Sequence, residues 1–428
     1  MTTQPHIRAE RLRRRLTELV RVPSLTGDEG AAIARVRSWL DEVAAAAPAK
    51  ATVESWVTPM AELERDPAYP GREVERDDVP VVAARLDGPE PGPTLLLTGH
   101  VDVVPIGDRA QWSRDPFGAE RDGDRLYGRG ACDMKAGVIA ALEAWTAIAE
   151  AGGPRAGSLL FVAVPGEEDG GTGTLAAIRR GWGADMAIVT EPTAAGGEPP
   201  QVIVAHGGAL TFTLTVSGRS AHACKRLEGV SALERYWALH TAMRRAEADL
   251  NERESDPLLR ALGLPYPTCV GRVEGGWWSS SVMDHLRAEI RVGVAVGEGT
   301  EAAEARFRRT IAEAAAADPW LRDHPPQVER TGAAFASARI DPGHPLVAHV
   351  RGAAADVFGA APPLAAAPYG CDMAMWCGPG GTPTLVYGPG DVTLAHAPDE
   401  WVSLAQTEQV AQVLLTVASR ALRPGGDP

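Results

Sequence analysis

Short clusters of acidic and imidazole side chains recur along this chain, each placed after an apolar run or a glycine-rich turn. The apolar runs at residues 95–97, 159–164 and 187–189 have the composition of buried strands. Ligands of open α/β sheets bind just beyond the carboxyl ends of the strands, so side chains at these positions are expected to converge. The clusters contain His100 and Asp102; Asp133; Glu167, Glu168 and Asp169; Glu191; and His396, Asp399 and Glu400.

The residue types in these clusters favour a metal site with hydrolytic chemistry. Histidine and carboxylate side chains together suit a borderline metal such as zinc. Two metals about 3.5–4 Å apart need one carboxylate that bridges them, and a further carboxylate must stay free as the general base for a metal-activated water. Two histidines, one bridging aspartate, one glutamate for each metal and one spare glutamate satisfy this requirement.

The elements that must position the clusters follow an alternating pattern. Strands are predicted at residues 158–164 and 187–190, and a long helix at 134–151. Strands that alternate with helices indicate a mostly parallel α/β sheet. Upstream, the apolar runs at 81–84 and 94–98 are broken by proline and glycine residues, a pattern that predicts a hairpin leading into a buried strand.

A different pattern begins near residue 207. Apolar and polar residues alternate from 210 to 217, which is typical of an antiparallel strand with one solvated face. The sequence therefore predicts an α/β fold. A mostly parallel-sheet catalytic domain, residues 1–206 and 333–428, is interrupted by an inserted α+β domain, residues 207–332, which is called the lid below.

The clusters and their neighbours resemble one family of hydrolases. The resemblance rests on Gly-His-Val-Asp-Val-Val-Pro at residues 99–105, Tyr-Gly-Arg-Gly-Ala-Cys-Asp-Met-Lys at 127–135, the later pairs Glu167-Glu168 and Glu191-Pro192, and Ala-His-Ala-Pro-Asp-Glu at 395–400. Motifs in this order are similar to those of the co-catalytic zinc amidohydrolase and exopeptidase family of acetylornithine deacetylase and succinyl-diaminopimelate desuccinylase. The resemblance implies a two-zinc catalytic domain and a lid that forms a homodimer interface.

The same resemblance implies a role for each clustered side chain. One zinc takes His100 and Glu191, the other takes Glu168 and His396, and Asp133 bridges both. Two carboxylates remain. Glu167 is expected to be the general base, and Asp102 to hydrogen-bond the imidazole of His100 and fix its tautomer.

Three further residues resemble family positions outside the metal cluster. His222 resembles a lid histidine that reaches into the neighbouring subunit, where it would stabilise the oxyanion; the alternative is a surface histidine on a loop. Arg291 resembles an arginine that grips the substrate carboxylate, and a solvated strand arginine is the alternative. Asp372 stands where the family places an acid near the site, and both a supporting and a purely structural role stay open.

The lid departs from the commonest pattern of the family in its residues 275–284. The asparagine and proline expected there are absent, and Trp277 and Trp278 are added. The two tryptophans could form an aromatic wall for the leaving amine or pack the lid, and packing is favoured. This stretch looks more like the deacylase branch that includes formylaminopyrimidine deformylase, whereas residues 383–390 fit acetylornithine deacetylase, so the branch stays open.

We expect a metal-dependent amidohydrolase that removes a small acyl group (acetyl, formyl or succinyl) from the nitrogen of an amino acid or related amine. The cofactors are expected to be two Zn²⁺, with Co²⁺ as a substitute. A dipeptidase or carboxypeptidase of the same family is the alternative within the enzymes. A non-hydrolytic, metal-binding family member is the alternative from another class.

Composition limits the partners. Lys and Arg number 42 and Asp and Glu number 56, so the net charge is −14, which disfavours nucleic acid and anionic membrane surfaces. No apolar run approaches the ~20 residues that span a bilayer. Residues 1–20 do not have the pattern of a secretory signal. Five cysteines without paired motifs fit reduced thiols, so a cytoplasmic homodimer acting on a small molecule is expected.

Overall fold

The structure, a computed structural model, describes residues 4–425. Sixteen strands are found in this range: β1 Ala51–Pro59, β2 Asp78–Asp87, β3 Glu90–His100, β4 Glu120–Asp122, β5 Arg125–Tyr127, β6 Ala156–Val164, β7 Met186–Val189, β8 Val202–His206, β9 Gly208–Ser217, β10 Thr268–Gly275, β11 His285–Val294, β12 Gln327–Phe335, β13 Ala338–Arg339, β14 Leu364–Ala367, β15 Thr384–Val386 and β16 Trp401–Ser403.

Twelve α-helices accompany these strands in the described range: α1 Ala9–Val20, α2 Gly30–Ala46, α3 Met60–Leu63, α4 Ala136–Glu150, α5 Thr172–Arg179, α6 Ala232–Glu252, α7 Pro257–Arg260, α8 Thr300–Ala317, α9 Pro319–Asp323, α10 Pro345–Phe358, α11 Met373–Cys377 and α12 Leu404–Ala421. Between residues 4 and 425, no helix combines the length and the apolar character that crossing a membrane requires.

A nine-stranded sheet forms the centre of the catalytic domain, in the order β1-β2-β6-β3-β7-β15-β8-β13, with β14 beside β8. The central strands β6, β3, β7 and β15 run parallel, and antiparallel strands flank them. Helix α4 is almost entirely buried because it packs against the sheet on one side and against α1 and α12 on the other, and its Ala-rich sequence offers mostly apolar side chains to them. The predicted fold class, a mostly parallel α/β domain with an inserted α+β domain, is confirmed.

The predicted hairpin between the apolar runs near residues 81–84 and 94–98 is wrong. Strands β2 and β3 do form there, but β6 lies between them, antiparallel to β2 and parallel to β3. Pro91 and Pro93 at the start of β3 cannot donate hydrogen bonds to an adjacent antiparallel strand. Strand β6 lies beside β2 instead, and the turn after β2 is hydrogen-bonded to it, since Gly88 N donates to Gly157 O over 2.8 Å.

The inserted domain is a four-stranded antiparallel sheet, ordered β10-β11-β9-β12, that packs against α6 and α8. The alternation from 210 to 217 follows β9, whose apolar side chains enter a second core separate from that of the catalytic domain. Strand β12 runs to Phe335, past the boundary proposed at residue 332, and its register shifts between Thr331 and Ala334. The strands on either side of the insertion, β8 and β13, pair with each other, and His206 lies opposite Ala338.

Candidate metal centre

The parallel centre of the sheet brings three predicted clusters to one edge. Strand β3 ends at His100, β6 ends three residues before Glu167, and β7 ends two residues before Glu191. Because β3 is parallel to both β6 and β7, their carboxyl ends lie side by side. The topology therefore assembles one imidazole and several carboxylates from segments that are far apart in sequence.

Asp133 lies between the two predicted histidines and turns one oxygen toward each. His100 Nε2 is 3.2 Å from Asp133 Oδ1 and 3.5 Å from Glu191 Oε1. His396 Nε2 is 3.4 Å from Asp133 Oδ2 and 3.0 Å from Glu168 Oε1. The five predicted ligands thus form two half-sites, each with one histidine and one glutamate, and the aspartate is shared by both.

The backbone of Asp102 fixes the tautomer of His100. Its carbonyl oxygen accepts a hydrogen bond from His100 Nδ1 over 2.9 Å, so Nε2 presents its lone pair to the carboxylates. The Asp102 carboxylate is farther from Nδ1, at 3.4 Å. It accepts instead the main-chain N–H groups of Glu167 (3.3 Å) and Glu168 (3.1 Å), and so orients the turn that carries them.

Glu167 is buried and is the carboxylate that neither half-site uses at short range. Its Oε2 lies 3.9 Å from His100 Nε2. Burial raises the pKa of Glu167 well above its ordinary value; the charge of His100 opposes this rise, and the charges of Glu191 and Asp372 add to it. Glu167 therefore lies beside the two half-sites without being the short-range carboxylate of either.

The donor set fits a pair of divalent cations. Ligand atoms of His100, Asp133 and Glu168 lie within 4.8 Å of one another, as do those of His100, Glu167 and Glu191. Without a cation, burial raises the pKa of Glu191 to about 8. The charge of His100 opposes this rise, and the charge of Asp133 adds to it. Cations would relieve this crowding of carboxylates, and imidazole with carboxylate is a donor set that zinc accepts.

Glu400 and Arg129 support the site, although no role was predicted for either. The buried carboxylate of Glu400 accepts the main-chain N–H groups of Gly130 (3.1 Å), Cys132 (2.8 Å) and Asp133 (3.1 Å). Arg129 donates to Glu400 over 2.6 Å and to the carbonyl oxygen of His396 over 3.3 Å. The pair therefore links the segment of the bridging aspartate to that of the second histidine.

The signal for this pair was present in the motifs, because both residues belong to stretches that carry ligands. The backbone conformation of His396 also marks this region as functional, but it is visible only in the folded structure. Its φ of 60° is left-handed, a conformation that costs a non-glycine residue of order 1 kcal/mol and persists where neighbours hold it.

Asp372 lies beside Glu167 and is fully enclosed. Thr174 Oγ1 donates to Asp372 Oδ2 over 2.6 Å, and burial raises the pKa of Asp372 to about 6. A small cavity of about 10 Å³ is lined by Glu167 and Asp372 together with Phe335, the last residue of β12. Asp372 thus contributes to the electrostatics around Glu167 and contacts neither half-site directly at ion-pair distance.

The lid residues take different positions. Arg291, on β11, has its guanidinium over the ring of Phe335 at 5.4 Å. Arg291 is exposed on this strand. Crowding by protein atoms lowers its pKa, and the charges of Glu73 and Glu167 oppose that effect. His222 is exposed, and its Nδ1 accepts a hydrogen bond from Cys224 N over 3.2 Å.

The expectation that Trp277 and Trp278 pack the lid is wrong. Their exposed fractions are 80% and 74%. Both lie on the loop between β10 and β11, outside the lid core, and the one ring contact of Trp277 found among residues 4–425 is with His285, at 4.4 Å between centroids. Their large apolar surfaces are therefore free for a ligand or another chain.

An α/β sheet with two histidine–carboxylate half-sites at the ends of its strands, and an inserted domain above them, is the architecture of a metal-dependent hydrolase. The chain belongs to peptidase family M20/M25/M40, whose sequence model matches residues 96–420.

Two curated relatives are deacylases by name. The chain is 28% identical to N-formyl-4-amino-5-aminomethyl-2-methylpyrimidine deformylase of Bacillus subtilis, over 86% of this chain and 89% of that protein. It is 35% identical to succinyl-diaminopimelate desuccinylase of Rhodospirillum centenum, over 48% of this chain and 49% of that one.

Solved structures share the whole fold. A metallo-carboxypeptidase of the M20 family from Sulfolobus solfataricus superposes with a TM-score of 0.72 at 16% identity, over 95% of this chain and 98% of its own. The YXEP protein of Bacillus subtilis, described as a dinuclear metal-binding peptidase of the M20 family, gives 0.60 at 16% identity, over 97% and 98%.

Proposed function

We propose that this protein is a dizinc amidohydrolase that removes a small N-acyl group from an amino acid or a related amine. Co²⁺ is the expected substitute metal. The observation that carries the proposal is the position of Asp133, whose two oxygens face two different histidines, 3.2 Å from His100 and 3.4 Å from His396. This arrangement gives each half-site its own glutamate and leaves Glu167 free as the base.

When bound, the two cations would polarise the amide carbonyl and lower the pKa of a water toward neutrality. Glu167 accepts a proton from this water as the oxygen attacks the carbonyl carbon. Glu167 then delivers the proton to the leaving nitrogen as the C–N bond breaks. Glu167 is buried beside His100, with 3.9 Å between Glu167 Oε2 and His100 Nε2, so the same carboxyl group can serve both proton transfers.

We assign His222 as a donor to the oxyanion. Because its Nδ1 accepts a hydrogen bond from Cys224 N, the neutral ring carries its proton on Nε2, which is exposed and free to donate. Arg291 is assigned to a carboxylate of the substrate, because its exposed guanidinium lies over Phe335, which lines a cavity together with Glu167. The names of the two curated relatives support an N-acyl substrate, since both describe the removal of an acyl group.

We also propose a homodimer through the lid, in which His222 serves the partner's site. Strand β10 is an edge of the lid sheet and would be covered by such an interface. Trp277, Trp278 and Leu227 are exposed on this domain and offer apolar surface. The five cysteines lie among the described residues without a disulfide, which supports a reducing, cytoplasmic location.

A dipeptidase or carboxypeptidase would use the same half-sites and the same base. A panel of N-acetyl, N-formyl and N-succinyl amino acids and amines, assayed beside dipeptides, separates these activities. If the protein hydrolyses dipeptides and none of the N-acyl substrates, the peptidase alternative replaces the deacylase proposal. Inertness of the zinc-loaded protein toward the whole panel would favour a non-hydrolytic family member.

The role of Glu167 has a direct test. Glu167→Gln should lower kcat by about 10²- to 10⁴-fold, as expected for loss of a general base, while the protein keeps two equivalents of metal. Glu54→Gln, on the surface and paired with Arg180, is the matched control and should keep full activity. Near-normal turnover of Glu167→Gln would refute the assignment.

A further inference from the structure

Asp169 follows Glu167 and Glu168 directly, yet it belongs to neither half-site. It is fully buried. Its Oδ1 accepts the main-chain N–H groups of Glu73 and of Val74, the latter over 3.0 Å. Its Oδ2 lies 3.5 Å from Arg76 Nε. A segment upstream of the whole motif region, residues 70–76, therefore holds the turn that carries the general base; we call it the clamp segment.

Arg76 extends this contact to Gly166, the first residue of the turn (residues 166–171). Its side chain is buried and pairs with Glu29 over 2.9 Å. The guanidinium also lies against Gly166, because a Cβ atom at that position would lie 3.0 Å from Arg76 Nη1. Gly166 has a φ of +69°, so glycine suits both the conformation and the space. The clamp segment thus contacts the turn on both sides of Glu167, at Gly166 and Asp169.

The same segment also contacts the chain where the lid rejoins the catalytic domain. Ala334 N donates to Pro70 O over 2.7 Å, and Ala333 N donates to Glu73 Oε1 over 3.3 Å. This hinge stretch, residues 331–335, is where β12 shifts its register. The clamp segment therefore bridges the general-base turn, residues 166–171, and the hinge stretch of the lid.

We propose that the clamp segment is a positioning element that transmits the position of the lid to Glu167. Asp169 and Arg76 hold the turn, and the Glu73 carboxylate ties the segment to the hinge. A displacement of the hinge stretch then moves the clamp segment. The main-chain N–H groups of Glu73 and Val74, which donate to Asp169, move with it. This inference rests on the proposed function for its kinetic readout, because a misplacement of about 1 Å at a catalytic group can cost roughly 10²-fold in rate.

Glu73 offers a clean perturbation. Glu73→Ala removes the acceptor for Ala333 N and keeps the main-chain N–H that Asp169 accepts. Glu73→Gln keeps an oxygen at the acceptor position and removes the charge that acts on Arg291. Glu62→Ala, an exposed glutamate on the preceding helix α3, is the matched control.

The experiment combines kinetics with hydrogen–deuterium exchange of the full-length, zinc-loaded protein. Glu73→Ala should lower kcat about tenfold with little change in KM, and Glu73→Gln should restore it. The amides of Gly170 and Gly171, which are bonded within the turn to the carbonyl oxygens of Glu167 and Gly166, should exchange faster in Glu73→Ala. Exchange in α4 should stay unchanged in every variant.

Asp169→Asn should accelerate exchange at the same two glycines, and the double variant with Glu73→Ala should be less than additive in kcat. If Asp169→Asn does not fold, the exposed Glu73 variants still decide the question. Equal exchange of the turn in Glu73→Ala, Glu73→Gln and Glu62→Ala would overturn the link. Faster exchange in Glu73→Ala would support it even if wild type hydrolysed no amide, an outcome that would refute only the proposed function.

Discussion

Replacement of Glu400 by glutamine probes how the protein holds the bridging aspartate. Glu400 Oε1 accepts from the N–H groups of Cys132 and Asp133, and Oε2 accepts from Gly130 N and Arg129. The amide oxygen of glutamine can replace Oε1. The NH₂ group of the glutamine would then occupy the position of Oε2 and face Gly130 N and Arg129, which are both donors. The two charge-assisted hydrogen bonds to Oε2 are therefore lost.

The cost follows from these contacts. Each charge-assisted hydrogen bond contributes about 1.5–3 kcal/mol, so the loss of two predicts about 3–6 kcal/mol in the free energy of unfolding. Breaking a buried ion pair by removal of one partner gives a similar figure, about 3–5 kcal/mol. Because the Asp133 segment is loosened, metal affinity should fall by about 10- to 100-fold, as for other residues that orient metal ligands.

Competition with a chromogenic chelator measures the metal affinity of Glu400→Gln, and circular dichroism measures its Tm, which should fall by roughly 5–10 °C. Glu408→Gln is the matched control. Glu408 forms a partly exposed pair with Arg13 away from the metal centre, and such pairs contribute about 0–1 kcal/mol. If Glu400→Gln bound zinc as tightly as wild type and melted with the control, Glu400 would not hold the Asp133 segment.

Four further outcomes are expected. Dialysis against a chelator should abolish hydrolysis, and Zn²⁺ or Co²⁺ should restore it; full activity of metal-free protein would contradict the metal proposal. Burial lowers the pKa of His206 to about 4, so below pH 6.5 the unfolded chain binds a proton that the folded protein excludes. Urea unfolding should therefore show a loss of about 2 kcal/mol between pH 7 and 5 that His206→Leu lacks; an equal loss in the variant would refute this origin. Sedimentation should show a dimer that Trp277→Ser/Trp278→Ser weakens. Mixing the inactive His222→Ala and Glu167→Gln proteins should regain activity, and a fully active monomer would exclude the role of His222 in the partner's site.

The sequence predicted the parts of the fold that depend on local pattern. Alternation identified β9, and the Ala-rich run identified α4, because periodicity is a property of neighbouring residues. The hairpin of β2 and β3 was wrong for the opposite reason. Both strands were correctly located, but their pairing depends on β6, about 70 residues farther along the chain.

The same distinction applies to the site. The predicted ligands lie together because each follows a strand or turn that the motifs mark, and their roles remain proposals. Glu400 acts on N–H groups about 270 residues away, so the motifs marked the two stretches but not the contact between them. The clamp segment carries no motif, so its contact with Asp169 was visible only in the folded chain.

The pairing of β8 with β13 has a consequence for how this architecture changes over time. The two strands that flank the inserted domain lie side by side, with His206 opposite Ala338, so the chain leaves and re-enters the sheet at neighbouring strands. Exchange of the inserted domain for one of a different shape would leave β8 and β13 paired and the catalytic sheet in register. Recombination of this domain could therefore replace the lid positions of His222 and Arg291 while the five predicted metal ligands stay on the catalytic domain.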